Sequence, residues 1–293
     1  MRAHRSGLDN RKVMDDGKIR RRDFLRLTAG AVSVGLLAAC DTGGGGLKGQ
    51  REVESASSRG RLLARLDPLP SDAAASPGLH PLGLGSTRDG LLYVPAGYGE
   101  KAPAPLALTL HGAGGNARSG ISHFLHLADA AGVVLLSPES RGRTWDVLVG
   151  SYGPDVEFID RTLEWAFDHL TLNAQRLAIT GFSDGASYAL SLGLTNGDLF
   201  TRVIAFSPGF MAPASRRGKP PVFVSHGTRD RVLPSERCSR RIVPQLDHAG
   251  YQVHYREFDG PHTVPESIAR EALHWFSSDE GSTDVDAPKH NRM

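Results

Sequence analysis

Leu177-Ala178-Ile179-Thr180-Gly181-Phe182-Ser183-Asp184-Gly185-Ala186 is the stretch that decides the fold. A run of β-type residues ends in Gly-x-Ser-x-Gly, and a small-residue helical pattern, Ala186, Ala189, Leu190 and Leu194, begins directly behind it. Strand, sharp turn and helix in that order hold a serine in a strained backbone conformation and lift its hydroxyl above a sheet. Gly181 and Gly185 fit because neighbouring backbone passes too close there for a Cβ. A helix starting just after Ser183 also points its first amides at any negative charge that develops on that side.

Outward from this turn, the chain alternates apolar runs of strand length with helical patterns. The runs are Leu91–Pro95, Leu106–Leu110, Val133–Leu136, Val203–Phe206, Val222–Val224 and Val253–Phe258, with Leu62–Leu66 as an early edge strand. Several are continuous rather than alternating, as strands buried on both faces of a parallel sheet are. Val156, Ile159, Leu163, Ala166 and Leu170 share a face of a helix opened by Pro154, a favoured first residue, and Ile268, Ala272, Leu273 and Phe276 mark the last helix. Pro244 interrupts or begins part of 236–250. The pattern predicts an α/β fold, a mostly parallel sheet flanked by helices, over 61–278. Only fifteen residues separate Phe206 from Val222, too few for a cap domain.

A serine hydroxyl needs a base, and in this architecture the acid and the base follow it in the order Ser, Asp, His. Asp230 lies beyond the end of the Val222–Val224 strand, and His262 lies just after the strand ending at Phe258. Both fall at the sheet edge where ligands bind in open α/β folds. Asp259 competes for the role of acid and His226 for that of base, while His123, His126 and His169 sit in helical patterns. Leu110-His111-Gly112-Ala113-Gly114-Gly115-Asn116 supplies the electrophilic side: the amides of Ala113 and Asp184 would hold an oxyanion, with Gly112 and Gly114 against substrate. This glycine run lacks both Gly-Lys-Ser/Thr and Gly-x-Gly-x-x-Gly, so it is not read as a phosphate loop. The loop Glu139–Gly153 would form a pocket wall, with Trp145 and Tyr152 as substrate-contacting residues.

These segments together resemble the α/β-hydrolase superfamily across 61–278. His-Gly-Ala-Gly-Gly, Gly-Phe-Ser-Asp-Gly and His-Gly-Thr-Arg-Asp look most like the phospholipase/carboxylesterase branch, with the polyhydroxyalkanoate depolymerase and feruloyl esterase group a close second. The resemblance implies a serine hydrolase acting on small-molecule or polymer carboxylic esters, with Ser183, Asp230 and His262 in the catalytic roles. A non-catalytic lipoprotein that uses the fold to bind a partner is the competing expectation. No Cys/His cluster has zinc spacing, and the chemistry requires no metal or organic cofactor.

The chain has 293 residues, and its formal net charge of +2 gives no electrostatic footprint for nucleic acid. The charge is uneven: residues 1–39 carry a net +5 and the remainder a net −3. Arg20-Arg21-Arg22-Asp23-Phe24-Leu25-Arg26 resembles a twin-arginine export motif, although Arg20 stands where Ser or Thr is usual. Leu27 to Ala39 is too short and too dilute to span a bilayer, which takes roughly 20 apolar residues. Leu37-Ala38-Ala39-Cys40 resembles a lipobox, which implies lipidation of Cys40 and attachment to a cell envelope. The expected organisation is a signal over 1–39, a flexible tether over 40–60, the α/β domain over 61–278 and a polar tail over 279–293. Oligomeric state has no signature in the sequence.

Overall fold

The computed structural model describes residues 55–66, 75–85, 87–99 and 103–278, all within the compact unit Gly44–Met293. The expected signal, Cys40, the tether as far as residue 54 and the tail at 279–293 lie outside the described residues.

Eight strands form one sheet: β1 (Gly78–Pro81), β2 (Gly90–Val94), β3 (Ala104–Leu110), β4 (Val134–Pro138), β5 (Leu172–Phe182), β6 (Arg202–Phe206), β7 (Val222–Gly227) and β8 (Val253–Phe258). Their order is β1-β2-β4-β3-β5-β6-β7-β8. β1 and β2 pair antiparallel at one edge, β2 meets β4 antiparallel, and the other six strands run parallel. Every residue of β3, β4 and β7 is buried, which accounts for their continuous apolar runs.

Helices cover both faces. On one side, α2 (Pro154–His169) and α3 (Asp184–Thr195) pack Val156, Ile159, Leu163, Ala189 and Leu190 against Leu106, Leu108 and Leu110 of β3. On the other, α1 (Ala117–Leu125) and α5 (Glu266–Ser277) pack Ile121, Phe124, Ile268 and Leu273 against Ala107 and Ala178. α2 starts with Pro154 and carries the acidic residues Asp155 and Glu157 in its first turn, where carboxylates complement the helix dipole. In α3 every residue but Asp184 is buried, so the helix shows no amphipathic stripe. Its hydroxyls turn back on its own carbonyls (Ser191 Oγ to Ser187 O, 2.7 Å) and accept from the chain after β6 (Gly209 N to Ser187 Oγ, 2.9 Å; Ala212 N to Ser191 Oγ, 2.8 Å). Residues 207–221 thus lie along α3 as irregular chain, with no helix or strand and no cap.

Three expectations are corrected. Leu62–Leu66 is extended but joins no sheet: the amide of Leu62 donates to Asn196 Oδ1, and those of Leu63 and Ala64 to Asp160 Oδ1. Side chains satisfy this backbone where a neighbouring strand would otherwise do so. The edge strand is instead Gly78–Pro81, too short and too polar to stand out. The tether was expected to run to residue 60, yet Ala56 and Ser57 are buried, and Ser57 Oγ donates to Glu157 Oε1 at 2.9 Å. Pro244 lies inside α4 (Ser239–His248) without ending it, and the carbonyl it leaves without an amide partner belongs to Arg240, an exposed residue.

Candidate active site

β5 runs into α3 with one residue between them, and that residue, Ser183, has φ 58° and ψ −119°. An L-residue at positive φ is strained, so its surroundings must hold it. The Ser183 amide donates to Phe206 O of the neighbouring strand at 2.9 Å, and its carbonyl accepts the Ala186 and Ser187 amides at 3.0 Å. A Cβ on Gly185 would overlap the carbonyl oxygens of Leu110 and His111, and one on Gly181 would overlap the backbone of Gly185. The turn is therefore packed backbone on backbone.

The parallel neighbours β7 and β8 end in register, Gly227 opposite Phe258, so the loops beyond them emerge side by side. One carries Asp230 and the other His262. His262 Nε2 stands 2.8 Å from Ser183 Oγ, and His262 Nδ1 stands 2.5 Å from Asp230 Oδ2. The carboxylate can only accept, so the imidazole proton lies on Nδ1 and Nε2 is free to accept from the serine hydroxyl. The Asp230 side chain is fully buried, and its Oδ1 accepts the amides of Val232 (2.9 Å) and Leu233 (2.8 Å). The His262 ring also rests on Phe182, centroids 4.6 Å apart.

The competing acid and base are placed elsewhere. Asp259 points into solvent and pairs with Arg229 Nε at 2.6 Å. His226 is buried, donates from Nε2 to Leu233 O at 2.6 Å and stands 3.3 Å from Asp230 Oδ2. Burial holds its pKa below the ordinary value, which keeps it neutral behind the carboxylate. It shapes the Asp230 turn and does not reach Ser183.

The loop after β3 passes close to Ser183: a Cβ on Gly112 would stand 3.4 Å from Ser183 Cβ. Gly114, at φ +69°, has open space where a side chain would be. The Ala113 and Asp184 amides take no part in the backbone hydrogen-bond network, Asp184 because it is the first residue of α3. His111 fixes this loop. Its Nδ1–H donates to Gly112 O (2.8 Å), its Nε2 accepts from Ser140 N (3.0 Å), and burial lowers its pKa, so the ring is neutral with one tautomer set by two contacts. Thr144 Oγ1 donates to Asp184 Oδ2 at 2.7 Å, and Gly114 N donates to Arg143 O at 2.7 Å, so the loop after β4 braces both sides of the amide pair.

Trp145 and Tyr152 do not contact substrate as expected. Trp145 has no exposed surface. Its Nε1–H donates to His111 O at 2.8 Å, and its ring stacks on Tyr188, centroids 5.0 Å apart. Tyr152 is buried, lies over Gly60 and donates to Ala212 O at 2.9 Å. Both rings are turned inward by hydrogen bonds to backbone carbonyls. Beneath them Asp155 accepts from the amides of Arg141 and Asp146, and burial pushes its pKa up to about 6. Asp146 in turn accepts from Tyr188 Oη (2.9 Å) and from the Gly153 amide (2.9 Å).

Sequence reasoning assigned no role to His111 or Thr144; the histidine that ends a strand before the glycine run was the available signal for the first. It also missed a cleft of about 570 Å³ beside His262, lined by Arg229, Arg231, Val232 and Pro261. Among the described residues no group of three His, Cys, Asp or Glu side chains is placed to hold a metal, and no helix is long and apolar enough to cross a membrane.

Residues 156–274 match the family model described as phospholipase/carboxylesterase. A bifunctional acetylxylan esterase/xylanase of Neocallimastix patriciarum is 27% identical over 157 residues, 51% of this chain. The matched part is 22% of that enzyme, so the chain spans about a fifth of the length of the curated relative. Among solved structures, esterase PE8 is 25% identical with a TM-score of 0.53, covering 64% of this chain and 96% of its own. A feruloyl esterase of Anaeromyces mucronatus, 18% identical with a TM-score of 0.51, covers 72% of this chain and 93% of its own and shares the fold.

Proposed function

We propose that this chain is a serine esterase of the α/β-hydrolase fold that cleaves carboxylic esters through an acyl-enzyme on Ser183. The observation that supports it is the continuous file from Ser183 Oγ through His262 to Asp230, 2.8 Å and 2.5 Å, on a nucleophile at positive φ. His262 Nε2 takes the Ser183 proton as Oγ attacks the ester carbonyl carbon. The carbonyl π electrons move to oxygen, which faces the Ala113 and Asp184 amides. One such donor is worth about 3–4 kcal/mol of transition-state stabilisation. Collapse of the tetrahedral adduct breaks the bond to the alcohol, which leaves with the proton from His262. Water then enters by the same route and releases the carboxylic acid. Asp230 keeps the imidazole oriented and stabilises its charged form.

The absence of a cap over 207–221 favours short or solvent-presented acyl groups. The similarity to an acetylxylan esterase supports polymer-borne acetyl esters as the second substrate class. A fluorophosphonate probe tests the chemistry. Labelling of the folded protein that is abolished in Ser183→Ala supports the esterase; no labelling of the wild type supports a partner-binding role instead. The lipobox-like sequence at Cys40 supports attachment to a cell envelope. Cys40→Ser should then release the protein from membranes, and unchanged detergent partitioning would refute the anchor.

A further inference from the structure

The cleft beside His262 is lined by two arginines, a valine, a proline and the imidazole, with no carboxylate among them. The arginines differ in state. Arg229 is occupied: its Nε meets Asp259 Oδ1 at 2.6 Å, and its Nη2 donates to Asp259 O at 3.3 Å. Arg231 is exposed and, among the described residues, has neither a carboxylate nor a carbonyl partner. Its backbone is nevertheless held. Asp230 before it is buried, and the Val232 amide after it donates to Asp230 Oδ1 at 2.9 Å. A free guanidinium is thus carried on a fixed turn beside the catalytic imidazole. Val232, 61% exposed, adds an apolar surface next to it.

Position along the reaction tells which part of an ester would meet this cation. With the carbonyl oxygen at the Ala113 and Asp184 amides, the departing oxygen must face His262 Nε2, which protonates it. Atoms attached to that oxygen enter the space flanking His262, a residue that also lines this cleft. We infer that Arg231 forms an anion-binding subsite for the alcohol part of the substrate, so that the preferred esters carry a carboxylate or phosphate on a small, partly apolar leaving group. This rests on the serine-esterase reading and specifies the substrate class of the same site. The site is solvated, so the gain is modest and salt-sensitive.

The test compares acetate esters matched in leaving-group shape: 4-acetoxyphenylacetate, its analogue with a phosphate in place of the carboxylate, and neutral 4-methylphenyl acetate. A hemisuccinate aryl ester carries the anion on the acyl side. At low ionic strength kcat/KM should favour an anionic leaving group by about fivefold or more, with the better of the two anions naming the natural one. Arg231→Gln should bring that ratio close to one, Arg231→Lys should restore part of it, and salt at about 500 mM should compress it in the wild type. Equal or lower rates for both anionic leaving groups would overturn the subsite, as would an Arg231→Gln variant that keeps the ratio. A preference for the hemisuccinate alone would overturn its assignment to the alcohol side. Hydrolysis of the neutral ester in any of these cases leaves the esterase reading standing; a wild type that hydrolyses none of the four overturns that reading and this inference with it.

Discussion

The two walls that face Ser183 are built in opposite ways. The wall behind the Ala113 and Asp184 amides is buried. Trp145, His111, Asp155 and Tyr188 are buried there, and side chains hold the backbone of both loops from within. The wall at the imidazole is buried at Asp230 and His226, and outward from them it carries exposed arginines, Asp259 and Val232. In the proposed reaction negative charge develops at the first wall, where fixed dipoles act best when they have no freedom to reorganise. The proposed leaving-group subsite lies at the second wall, where a change of solvated side chain would alter preference with little effect on the buried contacts. On the serine-esterase reading, packing thus separates reactivity from selectivity.

The largest expected effect tests whether Asp230 belongs with the buried machinery and Asp259 with the solvated rim. Asp230→Asn should lower kcat by about 10³–10⁴, because the amide can donate to Nδ1 and so favour the wrong imidazole tautomer. Asp259→Asn should change kcat by less than about twofold, as an exposed ion pair contributes little. Esterase rates of the two variants decide it, and comparable losses would erase the distinction. Next in size is Trp145→Phe, which keeps the stacking and removes the donor to His111 O. Looser placement of the oxyanion loop should cost about tenfold in kcat with KM nearly unchanged. The loss of one buried hydrogen bond, about 1–3 kcal/mol, should lower Tm by about 2–12 °C. A rise in KM with kcat intact would return Trp145 to the substrate.

The smallest effect is on stability against pH. Burial lowers the pKa of His111 in the folded chain below its ordinary 6.5. Below pH about 6.5 the unfolded chain therefore binds more protons at this position than the folded one, and stability falls as the pH drops towards the folded value. His123 and His226, also lowered by burial, act in the same direction. Asp155 acts in the opposite one: its pKa is raised to about 6, so its contribution is present at low pH and is lost as pH rises from about 4 to about 6. His111→Gln should flatten part of the acid-side slope in a Tm series from pH 5 to 8, and an unchanged slope would show that the ring does not titrate with unfolding.

Much of this was legible in the sequence because its signals are local. Gly-x-Ser-x-Gly between an apolar run and a small-residue helix announces itself, and the Asp and His positions follow from the ends of two later strands. What sequence could not show was direction. Trp145 and Tyr152 lie in a loop that does border the site, but hydrogen bonds to His111 O and Ala212 O turn both rings into the body. The partners of Leu62–Leu66 are equally remote, since Asp160 and Asn196 lie about 100 residues or more further on. Arg231 drew no attention because an arginine in a loop is ordinary until its neighbours are known.

The glycine at 185 leaves one further consequence. The nucleophile's posture is set by main chain lying on main chain, with Leu110 and His111 carbonyls where a side chain would have to go. No change of side chain elsewhere can easily retune that contact, and no replacement at the glycine itself can respect it. Mutational drift at Arg229, Arg231 and Val232 meets no such barrier. A lineage built on this scaffold can therefore change its diet repeatedly while its bite stays the same, and directed evolution for new esters should randomise that rim and leave the serine turn alone.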